Sequence, residues 1–334
     1  MEQRLLGKTG LRVSALGFGA GAVGGLLVRG ERADQTRAVA RALDAGITYF
    51  DTAPSYGDGR SEENLGAILG ELRAWRRVAV GTKVRLQPAD LADPAAAIRR
   101  SCEASLRRLG CDAVDLLQLH NPIASSAADN TVTGSSRPVP LDVVTGAVAE
   151  GMRDVVAQGL ARHAGCTGLG DARALHALVA SGAFATVQTY FNAINPSAGV
   201  AGAAGGEQDF AGLIGAAATA GLGVVAIRVM AAGALLARPQ RHRNAGDPGA
   251  LLVDGARYNR DLERAREIQA IAAELTYDGP LELALRFVLA APGISTALVG
   301  FSSPEQLDDA LRWTRRGPLP RAAIDRVVDL ARRP

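Results

Sequence analysis

Eight short apolar runs, each followed by a longer amphipathic stretch, limit what this chain can fold into more than any other feature. They are "LGFG" (16–19), "TYFDT" (48–52), "RVAVGTK" (77–83), "VDLLQLH" (114–120), "RHAGCT" (162–167), "ATVQTYF" (185–191), "GVVAIRV" (223–229) and "STALVG" (295–300). Runs of this length rich in Val, Ile and Leu read as buried strands, whereas "DPAAAIRRSCEASLRRLG" and "DARALHALVASGA" carry apolar residues at helical spacing. Eight strand-helix units in 334 residues predict an α/β fold, the (β/α)8 TIM barrel, with a doubly wound open sheet as the alternative. The opening "RLLGKTGLRVSAL" has two strand-like pieces about a Gly-Lys-Thr-Gly turn, which predicts an N-terminal β-hairpin closing the barrel bottom. No linker divides the chain, so residues 1–334 read as a single domain.

"GAGAVG" (19–24) matches the G-x-G-x-x-G spacing that cradles a dinucleotide pyrophosphate in Rossmann folds. That mechanism needs a helix opening directly after the glycines, so that the phosphates meet its N-terminus. Here the first convincing helical pattern begins near Asp34, "DQTRAVARALDAG", with Gly46 as its stop. With 39 glycines in the chain, the match is cheap, and it reads as a decoy.

Hydrophobic residues are 48% and charged residues 21% of the chain, enough to bury a core and unlike a disordered segment. No apolar run approaches the length of a membrane span and "MEQRLLGKTG" does not resemble a signal peptide, so a cytoplasmic protein without a membrane partner is expected. Cys102, Cys111 and Cys166 have no metal-binding spacing and read as three buried thiols, with no metal expected. A net charge of +3, with no basic cluster interleaved with aromatics, argues against nucleic acid as a partner. Of 37 Lys and Arg residues, only Lys8 and Lys83 are lysine, leaving 35 arginines. A compact ammonium and a guanidinium fork are not interchangeable where a cation must approach a proton donor. Lys83 therefore stands out.

Asp51, Lys83, His120 and Gln188 fall at or near the C-terminal ends of predicted strands, the active-site face of such a barrel. Tyr56 lies just beyond Asp51, in a loop shaped by Pro54 and Gly57. A phenol, with a reference pKa of about 10, donates a proton poorly at neutral pH unless a cation stabilises its phenolate. Lys83 would supply that cation and Asp51 would hold it. A neutral His120 would hydrogen-bond a carbonyl oxygen and orient it.

These residues lie in segments through which the chain resembles the aldo-keto reductase family: "RLLGKTGLRVSALGFGA", "GITYFDTAPSYGDGRSEENLG", "GTKV", "SLRRLGCDAVDLLQLHNP", "GLARHAGCTG", "VQTYFNAINP" and "LVGFSSPEQL". The resemblance runs from residue 4 to about residue 313. It implies hydride transfer between a nicotinamide cofactor and an aldehyde or ketone, or the reverse from an alcohol or aldose. Tyr56 would be the general acid, Lys83 its cationic partner, Asp51 the partner of Lys83, and His120 the carbonyl orienter. It further implies that the glycine loop, with Gly19 and Val23, lies at the barrel mouth, where Gly19 approaches the cofactor and Val23 the substrate.

Departures from the family pattern concentrate on cofactor contacts. Thr167-Gly168 replaces a Ser-Asn pair that holds the nicotinamide carboxamide in many members, leaving Gln188 as the other amide partner. Ile227 and Arg228 occur where many members stack a tyrosine. At the adenosine end, "GFSSPEQLDDA" offers Gly300, Ser302, Ser303 and Gln306 and no cation before Ala310, while Glu305, Asp308 and Asp309 add like charge. NADP(H) is the first expectation, with weak discrimination and NAD(H) as the alternative. The substrate pocket is assigned to the glycine loop and to residues 121–140, with Asn121 at their start, 192–207 and 236–260. Arg241, His242 and Arg243 read as a solvated, mobile face, with contact to an anionic substrate as the alternative. A cofactor-binding regulatory subunit with little turnover is the alternative function, and the sequence sets no oligomeric state.

Overall fold

Near the N-terminus, Gln3–Leu5 (β1) and Arg12–Ser14 (β2) pair antiparallel across the glycine-bracketed turn. Gly7 in that turn has φ +53, and a Cβ there would lie 2.1 Å from the amide nitrogen of Gly223, so only glycine lets the hairpin press on the barrel. Leu6 and Val13 pack into a small buried cluster with Tyr49, Ala79, Leu116 and Val225. The hairpin closes the barrel floor, as the sequence predicts. This computed structural model describes residues 1–126, 137–236, 240–246 and 255–333.

The barrel strands are Leu16–Gly19 (β3), Tyr49–Asp51 (β4), Ala79–Val84 (β5), Val114–Leu119 (β6), Ala161–Gly168 (β9), Thr186–Tyr190 (β10), Gly223–Ile227 (β11) and Thr296–Gly300 (β12). Ile123–Ala124 (β7) and Val139–Pro140 (β8) form a separate two-stranded parallel pair after β6. The eight barrel strands pair in parallel in chain order, and β12 closes on β3. The fold is the TIM barrel, and the open-sheet alternative is excluded by closure.

Each sequence run lands on a strand within one or two residues, because a strand buried on both faces cannot hide its apolar composition. Helix ends follow local chemistry: in Pro94–Leu109, Asp93 accepts from the Ala96 amide, Pro94 opens the first turn, and Gly110 at φ +67 ends the helix. The main core lies between barrel and helices, where Phe18 stacks on Phe50 at 5.3 Å and meets Phe301 at 5.2 Å. Among the described residues no helix is long and apolar enough to cross a membrane.

Two expectations need correction. A single helical turn, Leu26–Arg29, already opens after Gly25, and the next helix is Arg32–Asp44. Burial of Leu26, Leu27 and Val28 stabilises a turn too short to show periodicity. Three of its four amides are committed, Leu26 N to Phe301 O at 3.1 Å, and Val28 N and Arg29 N to Gly25 O at 3.0 and 2.7 Å. Cys102 and Cys166 are buried, but Cys111 is only partly so.

Candidate active site

The top of the barrel opens into a cavity of about 420 Å³, lined in part by Asp51, Tyr56, His120, Thr167 and Gln188. Asp51 ends β4, Lys83 lies near the end of β5, and His120 directly follows β6. Strand register does the placing: Asp51 pairs with Gly81, and Lys83 pairs with Gln118.

Lys83 is buried, and its ammonium donates to Asp51 Oδ1 and, at 2.8 Å, to the Thr52 carbonyl. The same nitrogen lies 4.8 Å from the centre of the Tyr56 ring. Burial alone would lower the Lys83 pKa, but the charge and hydrogen bond of Asp51, with the neighbouring Tyr56, outweigh it and raise it. The cation is therefore secure at neutral pH. Burial, then the charges of Lys83, Arg85 and Arg228, push the His120 imidazole well below its ordinary range. His120 is consequently neutral. Its ring meets the Tyr56 ring edge-on, 5.9 Å between centres.

Asp51 is more heavily supported than its pairing with lysine alone requires. Its Oδ2 accepts from Gln188 Nε2 at 2.6 Å, Gln118 Nε2 at 3.0 Å and Tyr49 OH at 3.3 Å. Burial first, and the Asp51 charge next, hold the Tyr49 phenol well above its ordinary pKa, so it remains a donor. Gln118 and Tyr49 escape sequence reasoning, although a signal exists: each precedes a site residue, His120 or Asp51, by two positions, and strand side chains repeat every two residues. Gln188 lines the cavity and gives its amide nitrogen to Asp51.

Other predicted residues divide by where they face. Gly19, Val23, Thr167, Ile227, Arg228, Gly300, Ser302 and Gln306 all line the cavity. Ser303 does not; it precedes the helix Pro304–Arg315. Asn121 also stands outside the cavity wall, its amide clamping Leu86 from both sides at 2.8 and 2.9 Å and reaching the Arg137 carbonyl at 3.2 Å. A side chain so fully engaged has nothing left for a substrate. Residues 192–207 contribute nothing to the wall either, since Asn192 Oδ1 folds its own loop by accepting from Ile194 and Asn195. Much of 121–140 and 236–260 lies outside the described residues. Arg241 is not a solvated side chain: it is partly buried, donates to Ala232 O at 2.8 Å, and lines the cavity with His242.

The cavity fits a nicotinamide dinucleotide in two respects. Thr167 Oγ1 is buried in the wall without a hydrogen-bond partner, an orphan that a carboxamide would satisfy. Glycines keep the backbone accessible, since Gly19, Gly21, Gly24 and Gly300 all line the wall.

Residues 15–332 match the sequence model of the Aldo/keto reductase family. L-galactose dehydrogenase of Arabidopsis thaliana is 39% identical over 122 residues, which is 36% of this chain and 38% of that protein. A probable voltage-gated potassium channel subunit beta of the same plant is 37% identical over 137 residues, 40% of this chain and 41% of its own. The aligned segments thus span about two fifths of these relatives. An aldo/keto reductase from Klebsiella pneumoniae, solved in complex with NADP and acetate, superposes with a TM-score of 0.69 at 23% identity, covering 100% of this chain and 97% of the other.

Proposed function

Because the chain belongs to the aldo/keto reductase family, we propose that it is an NADP(H)-dependent oxidoreductase that interconverts a carbonyl and an alcohol at the Tyr56 hydroxyl. One observation carries the reading: buried Lys83, locked by Asp51 and Thr52, stands beneath Tyr56 next to a neutral His120. A bound nicotinamide supplies or takes up the hydride. Tyr56 gives its proton to the carbonyl oxygen in reduction and removes it in oxidation. Lys83 stabilises the negative charge that develops on the phenolic oxygen. Neutral His120 donates an N–H to the carbonyl oxygen and fixes its direction; an imidazolium would compete with Lys83 for the same charge. Thr167 Oγ1, Gly300 and Ser302 would hold the cofactor.

Arg241 lines the same cavity as Ser302 and Gln306, which brings a cation from outside the "GFSSPEQLDDA" segment to the cofactor cavity. That favours the 2′-phosphate form more than sequence alone suggests. The likeness to a channel β subunit favours one competing reading, a cofactor-binding subunit. Incubation with NADPH or NADH and a panel of aldehydes and ketones, read by nicotinamide absorbance, tests the proposal. Cofactor binding by fluorescence without turnover of any carbonyl would replace it with the binder.

A further inference from the structure

The cavity holds a cation that hydride transfer does not require. Arg85 directly follows β5 and stands next to His120 across the β5–β6 ladder, where Val84 pairs with Leu119 and the His120 amide donates to the Val84 carbonyl at 2.8 Å. Both Arg85 and His120 line the cavity with Tyr56. The Arg85 Nε is buried without a hydrogen-bond partner, and among the described residues no carboxylate pairs with this guanidinium. Burying part of a charge without a partner costs free energy, and in a cleft beside the reacting groups an arriving anion would recover that cost.

We propose that Arg85 forms an anion subsite beside Tyr56 and His120, and that the substrate is a carbonyl compound bearing a carboxylate away from the reacting carbon. A guanidinium fork matches a carboxylate with two parallel hydrogen bonds. The cofactor's own phosphates are a poorer match. The residues fitted to it, Thr167, Ile227, Gly300 and Ser302, lie on or after β9, β11 and β12, whereas Arg85 belongs to the far arc. The substrate class rests on the reductase reading, but the anion subsite is measurable without it.

The test compares ω-oxo acids, from 4-oxobutanoate to 8-oxooctanoate, with their methyl esters, which keep the aldehyde and remove the charge. The parent should favour at least one acid over its ester by tenfold or more in kcat/KM. Arg85→Gln should bring that ratio toward one, chiefly through KM, with Arg85→Lys intermediate. Calorimetry should show the same acid binding the cofactor-loaded protein and losing tenfold or more in affinity in Arg85→Gln. Equal use of acid and ester by the parent, or a ratio unchanged in Arg85→Gln, overturns the proposal. So does a loss of NADPH affinity in Arg85→Gln that accounts for the whole effect, since Arg85 would then serve the cofactor. Acid binding that depends on Arg85 without turnover of any aldehyde would retain the subsite and overturn the reductase reading. Absence of both would overturn both.

Discussion

The proposed chemistry rests on the Tyr56 hydroxyl, so its replacement isolates one atom. Tyr56→Phe keeps the ring over Lys83 and beside His120 and removes the hydroxyl. Carbonyl reduction should fall roughly 10²- to 10⁴-fold, the range for losing a general acid, while NADPH affinity by fluorescence titration stays within about twofold. Parental kcat in the Phe variant would remove Tyr56 from the proposed role. Lys83 is a harsher test, because the buried Asp51 carboxylate depends on it. Lys83→Met should lower kcat about 10²- to 10³-fold and also cost about 3–5 kcal/mol in urea unfolding, since it leaves a buried charge without its counter-ion. Lys83→Arg restores the charge but not the shape, and the space below Tyr56 and against the Thr52 carbonyl accommodates a point donor rather than a fork. An Arg variant with parental kcat would show that the rarity of lysine here has no chemical meaning.

Among the elements, the glycine loop after β3 does its work by contact with β12. A Cβ on Gly24 would lie 2.6 Å from Phe301 N and 2.7 Å from the Gly300 carbonyl carbon, backbone atoms that cannot turn aside. Gly24→Ala should therefore shift the loop off β12, lowering stability by about 1–3 kcal/mol and weakening NADPH binding. Gly21 is the control: its added Cβ would meet only the Tyr56 ring at 3.8 Å, so Gly21→Ala should leave the melting temperature unchanged or slightly raised. Equal melting temperatures for the two variants would refute the close-contact argument. This loop also marks the limit of what is legible in sequence. The barrel strands were readable because burial on both faces forces apolar runs, and Asp51, Lys83 and His120 could be placed by counting to strand ends. Periodicity has no access to a four-residue turn such as Leu26–Arg29, to the cross-barrel bonds of Gln118 and Tyr49, or to side chains such as Asn121 that clamp distant backbone. Arg85 is illegible for the same reason, because in a chain with 35 arginines only the fold shows which one lines the cavity.

At the scale of the whole molecule, the perturbed groups of the site set how stability depends on pH. His120 is held neutral by burial and by the nearby cations, so its folded pKa lies well below the ordinary value. As pH falls below about 6.5 the unfolded chain takes up a proton that the folded chain refuses, and stability declines by up to about 1.4 kcal/mol per pH unit. Lys83 has the opposite shift: its folded pKa is raised, so its contribution is complete below the ordinary lysine value and is lost only as pH rises beyond it. Asp171, Asp278 and Glu282 have lowered pKa values, so they lose their contributions only below about pH 4.5. The interval from about 6.5 to 4.5 is thus left to histidine. His163 shares it, since burial lowers its pKa too, against the opposing pull of Asp115. Urea unfolding free energies measured at half-unit steps across that interval should fall with acidity in the parent. His120→Gln should remove most of the slope, and His163→Gln a smaller part. A His120→Gln protein with the parental slope would place the proton uptake elsewhere, and with it the claim that the carbonyl meets a neutral imidazole.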